Sequence, residues 1–239
     1  MLGAYGLWDE LTSAPWQVDK PIHEAGAYKR VFDPVVTLFT PWGPPYQNRG
    51  LDIARGPEVA IIKRLVEIEK LFDGYKRRPI WHFLGADAYG TQVNQKNGKS
   101  RVNPKTASQY FAQLEALLKR NLGQCYFHLW SGIRSEASPT MMSFWKELTD
   151  DFVTELVGLE LLDEARETAR AVNGLRHRNE AQPIAIEYLR QRIFEAEMVE
   201  ELWHPIKISL APPHKDRVVD GVLPILYLVP EELRTPWLK

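Results

Sequence analysis

"VVTLFTPWGPPYQNRG", residues 35–50, is the stretch on which the fold turns. Its first six residues form an apolar, β-branched run without polar alternation, the pattern of a strand covered on both faces. The run then meets Pro41-Trp42-Gly43-Pro44-Pro45-Tyr46. No sheet continues through such a segment, because each proline removes a backbone donor and fixes φ at about −65°. Thr40 therefore ends a buried strand with a hydroxyl held next to a stiff turn. That arrangement suits a nucleophile, and it equally suits a hydroxyl that satisfies a loop amide. Trp42 and Tyr46 are placed to wall a pocket beside it.

Working outward, the chain alternates between strand and helix patterns. "GPEVAIIKRLVEIEKLF" has an apolar stripe near helical period and Pro57 in its first turn. "RPIWHFLGA" reads as a second strand and "ADAYGTQVNQKNGKSRVNP" as a long polar loop. "KTASQYFAQLEALLKRNLG" is a helix that ends on Lys119 and Arg120, with Gly123 just beyond, as helix C-termini prefer. "QCYFHLWSG" is a third strand. Two long helical stretches, about 139–173 and 182–203, precede the closing strands "PIKISLA" and "VLPILYLVP". Strands separated by helices require crossovers, hence a parallel sheet in an α/β sandwich. Residues 1–30 show no period and read as an N-terminal arm, with 31–239 a single domain. Ligands of open parallel sheets bind beyond the carboxyl ends of the strands. The loops Thr40–Tyr46, Gly85–Asn94 and Ser131–Ser138 should meet there, bringing Asp87, Tyr89, Ser131, Arg134 and Glu136 toward one cleft.

The totals exclude several chemistries. The net charge of −1 conceals a basic region and an acidic one. Lys63–Arg120 holds 12 Lys/Arg against 5 Asp/Glu, and Trp145–Glu201 holds 7 against 14. Such asymmetry points to a polyanionic partner at one surface, although solvated helix faces produce similar counts. Lys76, Arg77 and Arg78, the loop cations Lys96, Lys99, Arg101 and Lys105, and Lys119 and Arg120 are the candidate phosphate contacts. Cys125 is the single cysteine, so no intrachain disulfide forms and a reducing compartment fits. The N-terminus lacks a signal-peptide pattern and no run approaches the ~18 apolar residues of a membrane span, which makes the cytoplasm the expectation. Gly98-Lys99-Ser100 imitates the end of a phosphate loop, but Val93 stands where the first glycine is required. No GxGxxG follows the first strand, and His23, His82, His128, His177, His204 and His214 never fall at HxxxH spacing, so no metal is expected. His82 and His128, inside apolar strands, read as core histidines.

From residue 35 onward, the order of elements resembles the cyclodipeptide synthases. Their fold is similar to the catalytic domain of class I aminoacyl-tRNA synthetases. The resemblance implies a Rossmann-like three-layer sandwich with a mainly parallel central sheet. It also implies a cytoplasmic enzyme of secondary metabolism that makes a diketopiperazine from two aminoacyl-tRNAs by ping-pong acyl transfer, without ATP or another cofactor. "LFTPWGPPY" occupies the place of the family's nucleophile segment, with Thr40 where a serine is usual. "FWKELTDDFVTELVGLELLDEARETARAV" matches the family's long helix pair, and Tyr227–Leu233, "YLVPEEL", matches its tail. The family's amine-binding Tyr-x-x-x-Glu begins here at Tyr188, but Arg192 stands where the glutamate belongs. No counterpart of the family's late Tyr-His pair exists in "HPIKISLAPP". These departures resemble a diverged branch, such as the arginine-using one.

On this reading Thr40 carries the first aminoacyl group. Tyr188, Arg192 and Glu195 fall at i, i+4 and i+7 on one helix face, so Glu195 takes the place of the missing carboxylate, with Glu187 the nearer alternative. Trp42, Tyr46, Asp87, Tyr89 and Arg192 would contact the substrate, and the basic stretch the tRNA acceptor arm. Two other functions fit the same residues: a Rossmann-like nucleotidyl or group transferase using the strand-end cleft, and a non-catalytic RNA-binding module using the basic stretch alone.

Overall fold

A computed structural model describes residues 2–12, 28–43, 53, 57–87, 95–96, 99–100, 104–209 and 225–226. The apolar run that opens the chain's pattern is a strand, β1 (Val35–Trp42), at the centre of a sheet. Beside it lie β2 (Arg78–Gly85) and then β5 (Cys125–Leu129). On its other side lie β6 (Ile206–Ile208) and β7 (Ile225–Leu226). The order is β5-β2-β1-β6-β7, and every pairing is parallel. The long polar loop after β2 contains a short antiparallel hairpin, β3 (Gln95–Lys96) and β4 (Lys99–Ser100).

Helices form the other two layers. α2 (Pro57–Gly74) carries the chain from β1 to β2, and α3 (Pro104–Asn121) from the hairpin to β5. The return to β6 runs through α4 (Trp130–Ser135), α5 (Pro139–Glu147), α6 (Asp150–Asn173) and α7 (Arg178–Trp203). This is the Rossmann-like α/β arrangement anticipated above. The chain builds β2 and β5 on one side of β1 and then crosses to β6 on the other. The topological switch point therefore lies between β1 and β6, the place at which open parallel sheets bind their ligands.

Side chains alternate across a strand, so each strand feeds both cores. Val36, Leu38 and Trp42 of β1, with Trp81, Phe83, Ile206 and Ile208, pack with α2 and α3. Phe39 and Leu84 point the other way, into the core built with α5, α6 and α7. Trp81 and Phe83 stack at 5.7 Å between ring centroids, which fills the first core with aromatic area. At the end of β2, Gly85 is required by close approach. A Cβ there would stand 3.0 Å from Cε1 of Phe111 and 3.1 Å from Cζ of Phe127.

Four local expectations change. β1 does not end at Thr40: Pro41 and Trp42 continue it, paired with Leu84 and Gly85. The first part of the N-terminal arm is a helix, α1 (Leu2–Thr12), whose Leu7 and Leu11 are fully buried in the α2–α3 core. The stretch 139–173 is interrupted twice. Thr149 caps α6 by accepting from the Phe152 amide at 3.3 Å, and Gly158 breaks α6 at φ 76°, where a β-carbon would be strained. Finally, α7 begins at Arg178, a turn earlier than its pattern suggests.

Candidate functional site at the strand ends

Thr40 is fully buried, and its hydroxyl donates to the Ile208 carbonyl over a long 3.4 Å. Its parity in β1 is that of Leu38 and Trp42, so it faces the α2–α3 layer, away from α7. The expectation of a hydroxyl presented to a cleft beside Tyr188 is therefore corrected: Thr40 ties β1 to the end of β6. One residue of parity decides this, because a side chain two positions along a strand returns to the same face.

Trp42 is also buried on that face, and its role is more specific than a pocket wall. Its indole Nε1 donates to the Tyr110 hydroxyl at 2.9 Å, and the hydroxyl in turn donates to Oε1 of Glu58 at 3.1 Å. Glu58 lies in the first turn of α2, directly after the β1 loop, and is only 5% exposed. Trp42, Tyr110 and Glu58 thus form a buried hydrogen-bonded row at the carboxyl edge of the sheet. Sequence reasoning missed Glu58 and Tyr110. An acid in the first helical turn reads as ordinary compensation of the helix dipole, and a tyrosine inside an amphipathic helix reads as core.

α7 forms the opposite wall. It runs antiparallel to the strands, since Trp203 at its end leads directly into β6. The Trp203 ring lies 5.9 Å from that of Phe39. Trp42 is about 10 Å further along β1 at strand rise, a height that α7 reaches roughly seven residues before Trp203 at helical rise. Glu195 and Arg192 accordingly stand near the level of the strand end, with Tyr188 above them. Arg192 Nη1 donates to Oε1 of Glu195 at 3.0 Å, and the pair is largely shielded from solvent. The expected common face of Tyr188, Arg192 and Glu195 is consistent with this pairing. Glu187 belongs elsewhere: its two oxygens accept from Arg190 at 2.8 Å and Gln191 at 2.9 Å. Arg190 also donates to the Leu148 carbonyl at 2.6 Å and pairs with Asp150, so this network pins α7 to the α5–α6 junction.

The loops after β2 and β5 meet as anticipated, in a structural role. Asp87 Oδ1 accepts from the Ser131 amide at 2.9 Å while Oδ2 accepts from the Ser131 hydroxyl, which occupies both oxygens in tying the two strand ends together. Arg134 lies over the Trp145 ring at 4.5 Å. Tyr46, Tyr89 and Arg101 fall outside the described residues, as does Tyr227–Leu233.

The basic residues do not share an edge. Lys76, Arg77 and Arg78 link the end of α2 to the start of β2, and Lys119 and Arg120 close α3 before β5. These five lie at the amino edge of the sheet, away from the carboxyl side of the switch point. Arg77 Nε donates to the Val31 carbonyl at 3.2 Å, Arg78 bonds Gln124, and Lys119 pairs with Glu115 at 2.6 Å. Lys96, Lys99 and Lys105 follow β2 and belong to the carboxyl edge. The single basic surface expected from the sequence is therefore split between opposite ends of the strands.

His82 and His128 point from β2 and β5 to the α7 side, with Nδ1 and Nε2 3.1 Å apart and rings parallel within 5°. Trp203 packs on both, at 4.4 and 4.7 Å. Burial and the neighbouring imidazole lower the His82 pKa to about 4, and burial lowers that of His128. Burial also pushes the Cys125 thiol up, away from thiolate chemistry. Among the described residues, no group of three or more His, Cys, Asp or Glu is arranged to hold a metal ion, and no helix is long and apolar enough to cross a membrane.

No protein-family model and no curated protein matches the chain. Solved structures do. The PvcA protein from Pseudomonas aeruginosa aligns over 96% of this chain and 78% of its own, at 9% identity and a TM-score of 0.56. The two chains share a fold. A cyclodipeptide synthase from Candidatus Glomeribacter gigasporarum, solved bound to Phe-tRNAPhe, aligns over 80% of this chain and 86% of its own, at 13% identity and a TM-score of 0.46.

Proposed function

We propose that the protein is an aminoacyltransferase of the cyclodipeptide-synthase kind, which joins two amino acids already activated as tRNA esters and releases a diketopiperazine without ATP. The observation that carries this reading is the switch point between β1 and β6. α7 packs on the face of β1 that carries Phe39, in a chain whose first strand opens into no phosphate-binding loop. An ester needs no further activation. The site must orient an amine against the ester carbonyl, stabilise the developing oxyanion and exclude water. The order of elements from residue 35 supports the same reading. Charged tRNA as donor places the reaction in the cytoplasm.

The covalent variant with Thr40 as acyl carrier is not part of the proposal, because that hydroxyl is sealed on the face away from α7. The amine of one substrate instead attacks the ester carbonyl of the other, and the tRNA hydroxyl leaves with the amine's proton. A second attack, by the free amine on the remaining ester, closes the ring and releases the second tRNA. Lys96, Lys99 and Lys105, on the carboxyl edge of the sheet, are the cations suited to the acceptor-end phosphates.

The test is to incubate the protein with a charged tRNA pool, without ATP, and search for cyclic dipeptides by mass spectrometry. At least one product is expected, and none from folded protein overturns the reading. Intact-mass analysis of the quenched reaction should show no aminoacyl adduct; an adduct on the Thr40 peptide would restore the covalent route.

A further inference from the structure

We propose that the outer edge of β5 is a docking surface for a second copy of this chain, whose own β5 pairs with it antiparallel about a twofold axis. The pairing needs nothing of the acyl transfer proposed above and stands or falls without it.

β5 ends the strand order, so one of its sides meets no strand among the described residues. The Trp81 amide donates to the Gln124 carbonyl at 2.9 Å, which fixes how the parallel ladder alternates. Tyr126 and His128 turn their backbone groups to β2. Cys125 and Phe127 turn an N–H and a C=O to the open side, and Leu129 an N–H. The Leu129 carbonyl serves the first turn of α4 instead, because Leu129 is the N-cap of that helix. Proteins guard such edges with lysine, proline or a bulge. Cys125-Tyr126-Phe127-His128-Leu129 contains neither Lys nor Pro, and its residues pair with β2 one for one, without a bulge. Tyr126 and Leu129 are 45% and 39% exposed, so apolar area stands ready on both faces of the edge.

The segment is complementary to itself. Centred on Phe127, an antiparallel pairing sets Phe127 against the partner's Phe127 and Leu129 against the partner's Cys125. The Phe127 amides and carbonyls then bond each other, and each Leu129 amide bonds a Cys125 carbonyl. On the α7 face Tyr126 lies directly opposite the partner's His128, an aromatic pair at the closer spacing of about 4.5 Å between α-carbons. Charge fixes the direction. Arg78 and Arg120, both exposed, stand at the amino end of β5. Glu136 lies beyond the carboxyl end, near enough for its charge to act on His128. Antiparallel order brings the arginines of one copy to the glutamate of the other, at both ends alike. Parallel order would set cation against cation. A strand edge of this length is a small interface, which suits a concentration-dependent dimer with a Kd on the order of 10 µM.

Sedimentation equilibrium of the full chain from about 1 to about 100 µM should show monomer passing into dimer. Tyr126→Lys keeps the bonds to β2, places an ammonium on the open edge and should weaken dimerisation at least about tenfold. Arg120→Glu and Glu136→Arg should each weaken it by roughly threefold, and the double variant, which exchanges the two charges, should restore it. Leu129→Cys tests the register. It sets a thiol opposite the partner's Cys125, so diamide should oxidise the two thiols to an intermolecular disulfide, seen on a non-reducing gel. Leu129→Cys combined with Cys125→Ser, which lacks the facing thiol, should give none. The proposal is overturned by a dimer that Tyr126→Lys leaves as tight as wild type, since such a dimer uses another face. A Leu129→Cys chain that dimerises without cross-linking overturns it too. A wild type that is monomeric at every concentration leaves the edge to a different protein, and overturns it likewise.

Discussion

The two buried carboxylates among the described residues, Glu195 and Glu58, lie on opposite faces of the sheet and are held in different ways. On the α7 side, carboxylates come with their arginines: Arg192 with Glu195, Arg190 with Glu187 and Asp150. On the α2–α3 side, Glu58 accepts from the Tyr110 hydroxyl. Paired charges of the first kind hold a long helix in register against its neighbours. A buried charge held by a hydroxyl contributes little to folding. The lesson is that spacing of acidic and aromatic residues along α7 looked functional, whereas neutralisation in space makes much of it structural.

That contrast predicts a large asymmetry in stability. Arg192→Met removes the cation beside the shielded Glu195 carboxylate and should cost about 3 kcal/mol. Glu58→Gln keeps an acceptor for Tyr110 and should change stability by no more than about 1 kcal/mol in either direction. Urea unfolding of both variants measures the difference, and equal losses would erase the distinction between the faces. Next in size is Gly85→Ala, which drives a methyl to within 3.0 Å of the Phe111 ring. It should cost roughly 2 kcal/mol by overpacking of the α2–α3 core, seen as a lower urea midpoint.

A pH experiment addresses the α7 face alone. The pKa values of both His82 and His128 are lowered in the fold, that of His82 to about 4. Unfolded imidazoles titrate at about 6.5 and so take up protons first as the solution is acidified. Their contribution to stability is complete above that pH and is lost as pH falls toward about 4. Tm should decline across this window, and His82→Phe should flatten the decline; an unchanged slope would show that carboxylates dominate it. The smallest effect belongs to Thr40. Replacing it with valine removes one long hydrogen bond to Ile208 and should cost less than about 1 kcal/mol, with product formation retained if transfer is direct.

The period of hydrophobic residues carried most of the architecture. "VVTLFT" without alternation requires cover on both faces, and helices between strands require parallel crossovers, so the sandwich and its parallel sheet were legible. α1 was not, because "LGAYGLWDELT" owes its helix to docking Leu7 and Leu11 rather than to a strong pattern of its own. The partners of the candidate site residues were much less legible than the fold. Asp87 does reach the strand ends, but both its oxygens serve Ser131. The basic stretch is contiguous in sequence, yet each crossover carries the chain from one edge of the sheet to the other and divides it.

What the sequence by itself determined is the set of elements and their direction, since periodicity, capping and prolines act over a few residues. Tertiary structure decided which face each side chain joins and which charges find a partner. Thr40 and Phe39 differ by one step in β1 and by the whole thickness of the sheet in environment. Glu58 and Tyr110 are 52 residues apart and share a hydrogen bond. Pairing across such separations depends on how the layers close, and local pattern holds no record of it.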